Sequence, residues 1–259
     1  KDATYHWHAA TCEHTDEVKD KAEHSFYSGL CTVCGYQTAD YPKGLRFKFN
    51  PDENAYCVTG LGTCKDTNLV IPFEFQGLPV IGIGDKAFYV NTSLKSITLP
   101  DSVTNIGDYA FSGCTSLSDI NIPDGVTSIA DYAFSNCTSL TSITIPDGVT
   151  SIGERAFYGC ASLSGINIPE GVTSIEENAF YGCNSLKSVT IPESVTDIGD
   201  SAFAECNAVE TATVHATAIS FIPKPNLKTV VITGGTSIGY SAFSNCTSLT
   251  SITIPEGVT

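Results

Sequence analysis

The 23-residue stretch from Leu140 to Ser162, LTSITIPDGVTSIGERAFYGCAS, decides the fold of this chain. Its apolar side chains are Leu140, Ile143, Ile145, Val149, Ile152, Ala156, Phe157 and Cys160. About a third of the stretch therefore points toward a core.

Short strands and turns alternate within this unit. The run over 140–145 predicts a strand with alternating faces, and Pro146 ends it because proline cannot donate to a strand ladder. Asp147-Gly148 predicts a turn, and the run over 149–152 predicts a second short strand. Glu154 then heads a predicted single helical turn that carries the Ala-Phe pair, with the acid near its N-terminus.

The same unit recurs along the chain. The dipeptide Ala-Phe returns every 23 residues and once after 40, with its phenylalanine at Phe88, Phe111, Phe134, Phe157, Phe180, Phe203 and Phe243. One unit cannot bury its apolar face alone, but copies stacked about 4.8 Å apart turn each apolar position into a continuous column. The sequence therefore predicts a β-rich repeat solenoid, leucine-rich-repeat-like with 23-residue units, of about nine rungs and about 40 Å in length.

Two irregularities and a change of composition divide the chain. The segment FEFQGLP between Pro72 and Val80 predicts a hairpin-like entry to the stack, and the rung over 209–227 lacks its Ala-Phe turn. The missing phenylalanine predicts a kink or notch, and a weak joint, at this rung. We expect a small irregular N-terminal module at 1–40, a linker and capping hairpin at 41–68, and a solenoid at 69–259 that stops within a repeat.

The repeat resembles a known family. The run C-x-S-L-x-S-I-T-I-P-[DE]-x-V-T-x-I-G-x-x-A-F, from about Leu69 to Thr259, is similar to the BspA-like leucine-rich repeat. The resemblance implies a β-rich solenoid on a surface protein of a bacterium or parasitic protist, with a role in adhesion and recognition. It also implies a secreted or cell-surface location.

Composition disfavours several classes of function. The net charge of −15 would repel nucleic acid and anionic membrane surfaces. No apolar run reaches the roughly 20 residues of a transmembrane helix, so no membrane insertion is expected in this chain. The repeat region holds one histidine, His215, and neither a nucleophile motif nor a phosphate-binding loop, so we expect no enzyme.

Outward-facing strand positions form a polar column that includes Thr98, Asn121, Thr144, Asn167 and Thr190. Small polar β-formers are ordinary on an exposed sheet, but a column of them also makes a broad hydrogen-bonding platform. We expect a protein or glycan of a host or neighbouring cell to dock there over several rungs. The alternative is a structural spacer that presents another domain of a longer protein.

Cysteines and acids form further columns. Acidic residues recur after the proline, as in Asp147, and before the Ala-Phe pair, as in Glu154. We interpret these acids as water-facing turn residues and helix caps, in preference to calcium ligands. Cys57 and Cys64 flank a glycine-bearing turn and are either disulfide-bonded or small core residues. A packed ladder of buried thiols, not a metal or redox site, is predicted for Cys114, Cys137, Cys160, Cys183, Cys206 and Cys246.

The first 40 residues carry a metal-ligand pattern. Cys31-x-x-Cys34-Gly is a knuckle-like pair whose two thiolates can chelate zinc. Cys12 and His24 complete a tetrahedral set, with His14 as the alternative to His24. Similar short His/Cys modules accompany BspA-like repeats, as the resemblance implies. A disulfide or unpaired thiols are the rival interpretations.

Overall fold

A computed structural model of the chain describes residues 26–27, 30–31 and 44–259. Most of this part is a β-solenoid of about nine coils, which confirms the predicted fold. Successive coils pair 23 residues apart, as Ser128, Ser151 and Ser174 do. Among the described residues the helical structure is limited to one 3-10 turn, Ala218–Phe221.

Short strands carry the fold because each coil gives a few residues to a sheet and then turns. In chain order the described strands are β1 (Phe26–Tyr27), β2 (Leu30–Cys31), β3 (Arg46–Asn50), β4 (Ala55–Gly60), β5 (Asn68–Val70), β6 (Glu74–Phe75), β7 (Leu78–Ile83), β8 (Ser96–Thr98), β9 (Asn105–Ile106), β10 (Asp119–Ile120), β11 (Ser128–Ile129), β12 (Ser151–Ile152), β13 (Ile166–Asn167), β14 (Ser174–Ile175), β15 (Ser188–Thr190), β16 (Asp197–Ile198), β17 (Thr211–Val214), β18 (Thr229–Ile232) and β19 (Ser251–Thr253).

Hairpins precede and open the stack. β1 and β2 pair antiparallel, as do β3 and β4, and β4 then pairs in parallel with β7. β6 and β7 pair antiparallel across Gln76-Gly77, which confirms the hairpin predicted for FEFQGLP. Gln76 and Gly77 both have positive φ, 53° and 79°, as the tightest hairpin turns require.

Parallel strands form two rows along the array. The first row consists of two sheets, one of β5, β8 and β10 and one of β13, β15, β17, β18 and β19. A bridge between Thr144 and Asn167 joins the coil before β13 to the second of these sheets. The second row is a sheet of β11, β12, β14 and β16. Strand alternation sends the aliphatic residue inward and its neighbour outward, as in buried Ile97 and exposed Thr98.

The Ala-Phe segment is a tight turn without a helix, so the predicted helical turn headed by Glu154 is wrong. The residue before each alanine has a left-handed backbone, with φ 56° at Tyr132 and 50° at Arg155, and a right-handed helix cannot continue through it. The N–H of Phe157 instead donates to the carbonyl of Ala179 in the next coil at 2.7 Å. The turns therefore form a further hydrogen-bonded ladder along the array.

The phenylalanines of these turns lie at the centre of the core. From Phe88 to Phe203 the rings of successive coils stack with centroids 5.0–5.4 Å apart and interplanar angles of 4–8°. All of these rings are buried. Burial of each large side chain contributes about 2–3 kcal/mol. Because both faces of an inner ring contact adjacent coils, each coil depends on its neighbours for stability.

The cysteine column is a packed ladder, as predicted. In five coils the cysteine is fully buried and its Sγ donates to the carbonyl of a phenylalanine 26 residues earlier, at 3.0–3.3 Å: Cys114, Cys137, Cys160, Cys183 and Cys206. Cys246, in the last coil, is partly exposed. The ladder thus satisfies carbonyl groups inside the core as well as filling space.

Aliphatic side chains fill the shortened rung between β17 and β18. Its 3-10 turn places Ile219 and Ile222 in the core, where they are 1% and 2% exposed. β17 and β18 pair in parallel over four residues, so the sheet continues through this rung. The phenylalanine stack ends at Phe203, as predicted, and the two isoleucines contribute buried side chains to this rung. The weak joint predicted here stays a prediction.

Candidate binding face

The outward side chains of the first row of strands form one polar surface, which we name the outer face. Its middle brings together three of the sequence-predicted residues, because Thr144 pairs with Asn167 and Asn167 with Thr190 in parallel register. Thr98 lies in β8 and Asn121 directly follows β10, in the other sheet of the same row. All five side chains are exposed. The parallel strands hold them on a rigid backbone.

Asn121 differs from the other four residues. The Leu99 N–H donates to its Oδ1 at 2.9 Å, and its Nδ2 donates to the Leu99 carbonyl at 3.0 Å. The side-chain amide of Asn121 thus extends the strand pairing beyond β10, and it has fewer hydrogen-bonding positions left for a binding partner. Within the described chain, no hydrogen bond engages the side chains of Thr98, Thr144, Asn167 or Thr190.

Charges lie at the two edges of the outer face. Lys95 and Lys187 are exposed at the starts of their strands, and Lys228 forms an ion pair with Glu210 at 3.0 Å. The acids that follow the prolines, such as Asp147, are exposed at the other ends of the strands. A partner would therefore meet mainly hydroxyl and amide groups in the middle, together with the carboxylate of Asp119, and further charges at the rim.

The acids before the Ala-Phe pair belong to the turns. Asp85 Oδ1 accepts the N–H of Asp108 in the next coil at 3.0 Å, and Asp131 Oδ1 accepts that of Glu154 at 2.8 Å. These carboxylates bond between coils, so the predicted helix-capping role is wrong. Burial, with repulsion from Asp131 and Asp85, raises the pKa of Asp108.

A stack of cations and aromatic rings beside these acids was missed by sequence reasoning. Tyr109 and Tyr132 stack at 4.4 Å, Lys86 lies 5.2 Å from the Tyr109 ring, and Arg155 lies 5.4 Å from the Tyr132 ring. Glu154 accepts hydrogen bonds from Tyr132 at 2.8 Å and from Arg155 at 3.0 Å. The sequence signal for this stack was the residue directly before the alanine of each Ala-Phe pair, which has a long side chain in these four coils. The stack ties neighbouring turns together.

The buried thiols are poor nucleophiles. Burial raises the pKa of Cys114 and of Cys160 to about 12, and the reactive form of cysteine is the thiolate. Cys57 and Cys64 are free thiols, so the disulfide alternative for this pair is wrong. Cys64 is buried, and its Sγ lies 3.7 Å from Oδ2 of Asp66.

The predicted zinc ligands fall mainly outside the described residues. Cys12, His24, Cys34 and the alternative His14 lie there, and for Cys31 only the backbone, in β2, is described. Across the described positions, no three His, Cys, Asp or Glu side chains form a group that could hold a metal ion. In the same part of the chain, no helix is long and apolar enough to cross a membrane.

Solved structures share this architecture. A leucine-rich repeat protein of T. pallidum is 29% identical, with a TM-score of 0.51, over 83% of this chain and 81% of that chain. A leucine-rich cell surface protein of Faecalibacterium prausnitzii is 28% identical, with a TM-score of 0.54, over 83% of this chain and 76% of that chain. The pneumococcal vaccine antigen PcpA is 19% identical, with a TM-score of 0.54 over 84% of this chain and 70% of that chain, and shares the fold.

A family model gives the assignment. No curated protein matches the chain. The model described as the BspA type leucine rich repeat region matches residues 81–210 and 217–259, with six copies. These two segments cover more than half of the chain, and the second contains the 3-10 turn Ala218–Phe221. The chain therefore belongs to the BspA-type leucine-rich repeat family.

Proposed function

We propose that this chain is a non-catalytic binding module of a bacterial cell-surface protein, and that the outer face recognises a protein of a host or neighbouring cell. The row Thr144, Asn167 and Thr190 carries the proposal. Its side chains are exposed, aligned across neighbouring coils and free of hydrogen bonds within the described chain. The surface location rests on the family and on the similar cell surface protein of F. prausnitzii.

The geometry of the row favours recognition by a protein. Its hydroxyl and amide groups repeat at the strand spacing of about 4.8 Å on a backbone fixed by two rows of strands and a turn ladder. Little backbone freedom is lost when such a surface binds, and contacts over several coils add together. A glycan could use the same groups, so carbohydrate binding is an outcome that the experiment must distinguish.

The test is saturable binding of the chain to a panel of immobilised extracellular-matrix proteins and to intact cells. We expect concentration-dependent, saturable binding to at least one protein, and its persistence after enzymatic deglycosylation of that protein. Loss of binding on deglycosylation would make the partner a glycan. Absence of saturable binding across the panel would favour the alternative, a structural spacer that presents another domain.

We also propose that the N-terminal module holds one zinc ion through Cys12, His24, Cys31 and Cys34. The ligand types and the C-x-x-C spacing support this, and the antiparallel pair of β1 and β2 ends at Cys31. Elemental analysis of protein purified without chelator should find about one zinc per chain. Cys31→Ser should lower that content, and the control Cys57→Ser should not. A Cys31–Cys34 disulfide in native protein would contradict the site.

A further inference from the structure

The ladder of Ala-Phe turns is broken at the shortened rung. In an intact coil the N–H groups of three alternate turn residues donate to the next coil, as that of Phe180 does to the carbonyl of Ala202 at 2.7 Å. One coil later the equivalent N–H groups make no hydrogen bond among the described residues, because the shortened rung has no Ala-Phe turn to accept them. These unpaired donors belong to Ser201, Phe203 and Glu205.

The N–H group of Phe203 is the clearest sign that a partner is missing. Phe203 is 0% exposed, so water does not reach this group. Buried backbone N–H groups without a hydrogen bond are rare in native proteins because they lose their bonds to water without replacement. At the same repeat position the N–H group of Phe180 points along the array toward the next coil. The N–H group of Phe203 therefore points toward the shortened rung.

The coil after the shortened rung leaves the complementary groups unpaired. Its turn carries the carbonyls of Tyr240, Ala242 and Ser244, and no N–H group in the described part of the chain donates to them. The second row of strands breaks at the same level. The carbonyl of Thr173 accepts the N–H of Thr196 at 3.0 Å, but that of Thr196 accepts nothing from the described residues, and β16 is the last strand of its sheet. We name the space between the turns at 201–205 and 240–244 the ladder gap.

The ladder gap has the width of one chain. The strands β15, β17 and β18 are consecutive in the first row, so the two turns belong to coils two strand spacings apart, about 9.6 Å. The shortened rung passes between them without pairing to either: over 218–224 its backbone hydrogen bonds stay within the rung, as from Ile222 to Ile219 at 3.2 Å. One added strand would therefore have donors on one side and acceptors on the other.

Charge and aromatic surface at the rim of the ladder gap favour a basic occupant. Asp197, Asp200 and Glu205 are exposed, and no ion pair with another described residue engages them. Tyr240, on the opposite side, is fully exposed. Carboxylates attract lysine and arginine, and the face of a tyrosine ring binds the same cations.

We propose that the ladder gap is a second binding site, which takes an extended basic segment of a partner protein as an added strand. The carbonyls of the segment accept the three unpaired N–H groups, its own N–H groups donate to the three unpaired carbonyls, and its lysine or arginine side chains contact the acidic rim. Open strand edges are templates for such pairing, and main-chain hydrogen bonds supply much of the affinity. The outer face takes no part, so this inference does not depend on the proposed function.

The first test selects a phage-displayed library of random 12-residue peptides on wild-type protein. Enriched peptides should carry a net positive charge, and as synthetic peptides they should bind Asp200→Lys/Glu205→Lys at least about tenfold more weakly than wild type. The matched control Asp124→Lys/Asp147→Lys makes the same change of charge at exposed positions of intact coils. It should change peptide affinity less than about threefold, and equal unfolding midpoints of the two variants exclude misfolding.

The second test asks whether the bound peptide pairs with the backbone. Amide exchange of wild-type protein, followed by nuclear magnetic resonance, should slow at least about tenfold at Ser201 and Glu205 when the synthetic peptide is saturating, because their N–H groups become hydrogen-bonded. N-methylation of alternate peptide residues removes the donors on one side of the peptide. In one of the two possible registers it should weaken binding at least about tenfold.

Four results would each overturn the proposal. They are the absence of enriched peptides, enrichment of peptides without net positive charge, equal binding to wild type and to Asp200→Lys/Glu205→Lys, and unchanged exchange at Ser201 and Glu205 in the complex. The last result with the charge dependence retained would mean that the acidic rim attracts peptides without an added strand. Thr144→Arg/Thr190→Arg should leave peptide affinity within about threefold of wild type, and a greater loss would place the peptide on the outer face instead.

Discussion

Removal of one inner ring should test how the coils hold each other. The ring of Phe157 is fully buried and stacks on Phe134 at 5.4 Å and on Phe180 at 5.2 Å. Loss of its burial costs about 2–3 kcal/mol, and loss of two ring contacts adds about 0.5–1.5 kcal/mol each. We therefore expect Phe157→Ala to lower the free energy of unfolding by about 3–5 kcal/mol, the range seen for such core truncations.

The matched control is Phe243→Ala, at the same repeat position in the last coil, where the ring is partly exposed. It should cost less than about 2 kcal/mol because less apolar surface is removed from the core. Urea unfolding followed by far-ultraviolet circular dichroism measures both, with the slope m compared to detect loss of two-state behaviour. Equal costs at Phe157 and Phe243 would refute the argument that stacking between coils supplies the stability.

Two further predictions concern the thiols and the acids. In native protein at pH 8, mass spectrometry after alkylation should find Cys114 and Cys160 unmodified but Cys246 labelled. A pKa of about 12 leaves only about one thiol in 10⁴ ionised at this pH, and burial blocks the reagent. Labelling of Cys160 at the rate of Cys246 would contradict the buried ladder. Asp108→Asn should stabilise the protein by about a few tenths of a kcal/mol at pH 7 and by nothing near pH 3, as measured by urea unfolding. The pKa of Asp108 is raised in the folded state, so its favourable contribution to stability is present below the unfolded pKa and is lost as pH rises through the folded pKa. The effect is small because solvent screens the exposed carboxylate. A stabilisation that persists at pH 3 would assign the effect to something other than charge.

The repeat made most of the fold predictable. In a stacked array, residues 23 positions apart become neighbours, so the columns containing Phe157, Cys160 and Thr144 could be read from spacing alone. The outer face followed from strand alternation, since Ile143 must point inward if Thr144 points outward.

The remaining features depend on contacts between coils that spacing does not reveal. Glu154-Arg155-Ala156-Phe157 has good helix propensity, but hydrogen bonds to the next coil hold it as a turn. The role of Asn121 required knowledge of where strand pairing ends. In the shortened rung, repeat spacing does not reveal the 3-10 turn that buries Ile219 in the core.

The most direct test of the central claim is to place charge on each row of strands in turn and to measure binding to the extracellular protein that the wild-type chain recognises. Thr144→Arg/Thr190→Arg alters the outer face, and Thr150→Arg/Thr173→Arg adds the same charge at exposed positions that directly precede strands of the second row. Binding through the outer face predicts that the first variant weakens affinity by at least about 100-fold and the second by less than about threefold. Equal affinities for the two variants, or a greater loss with the second, would contradict it.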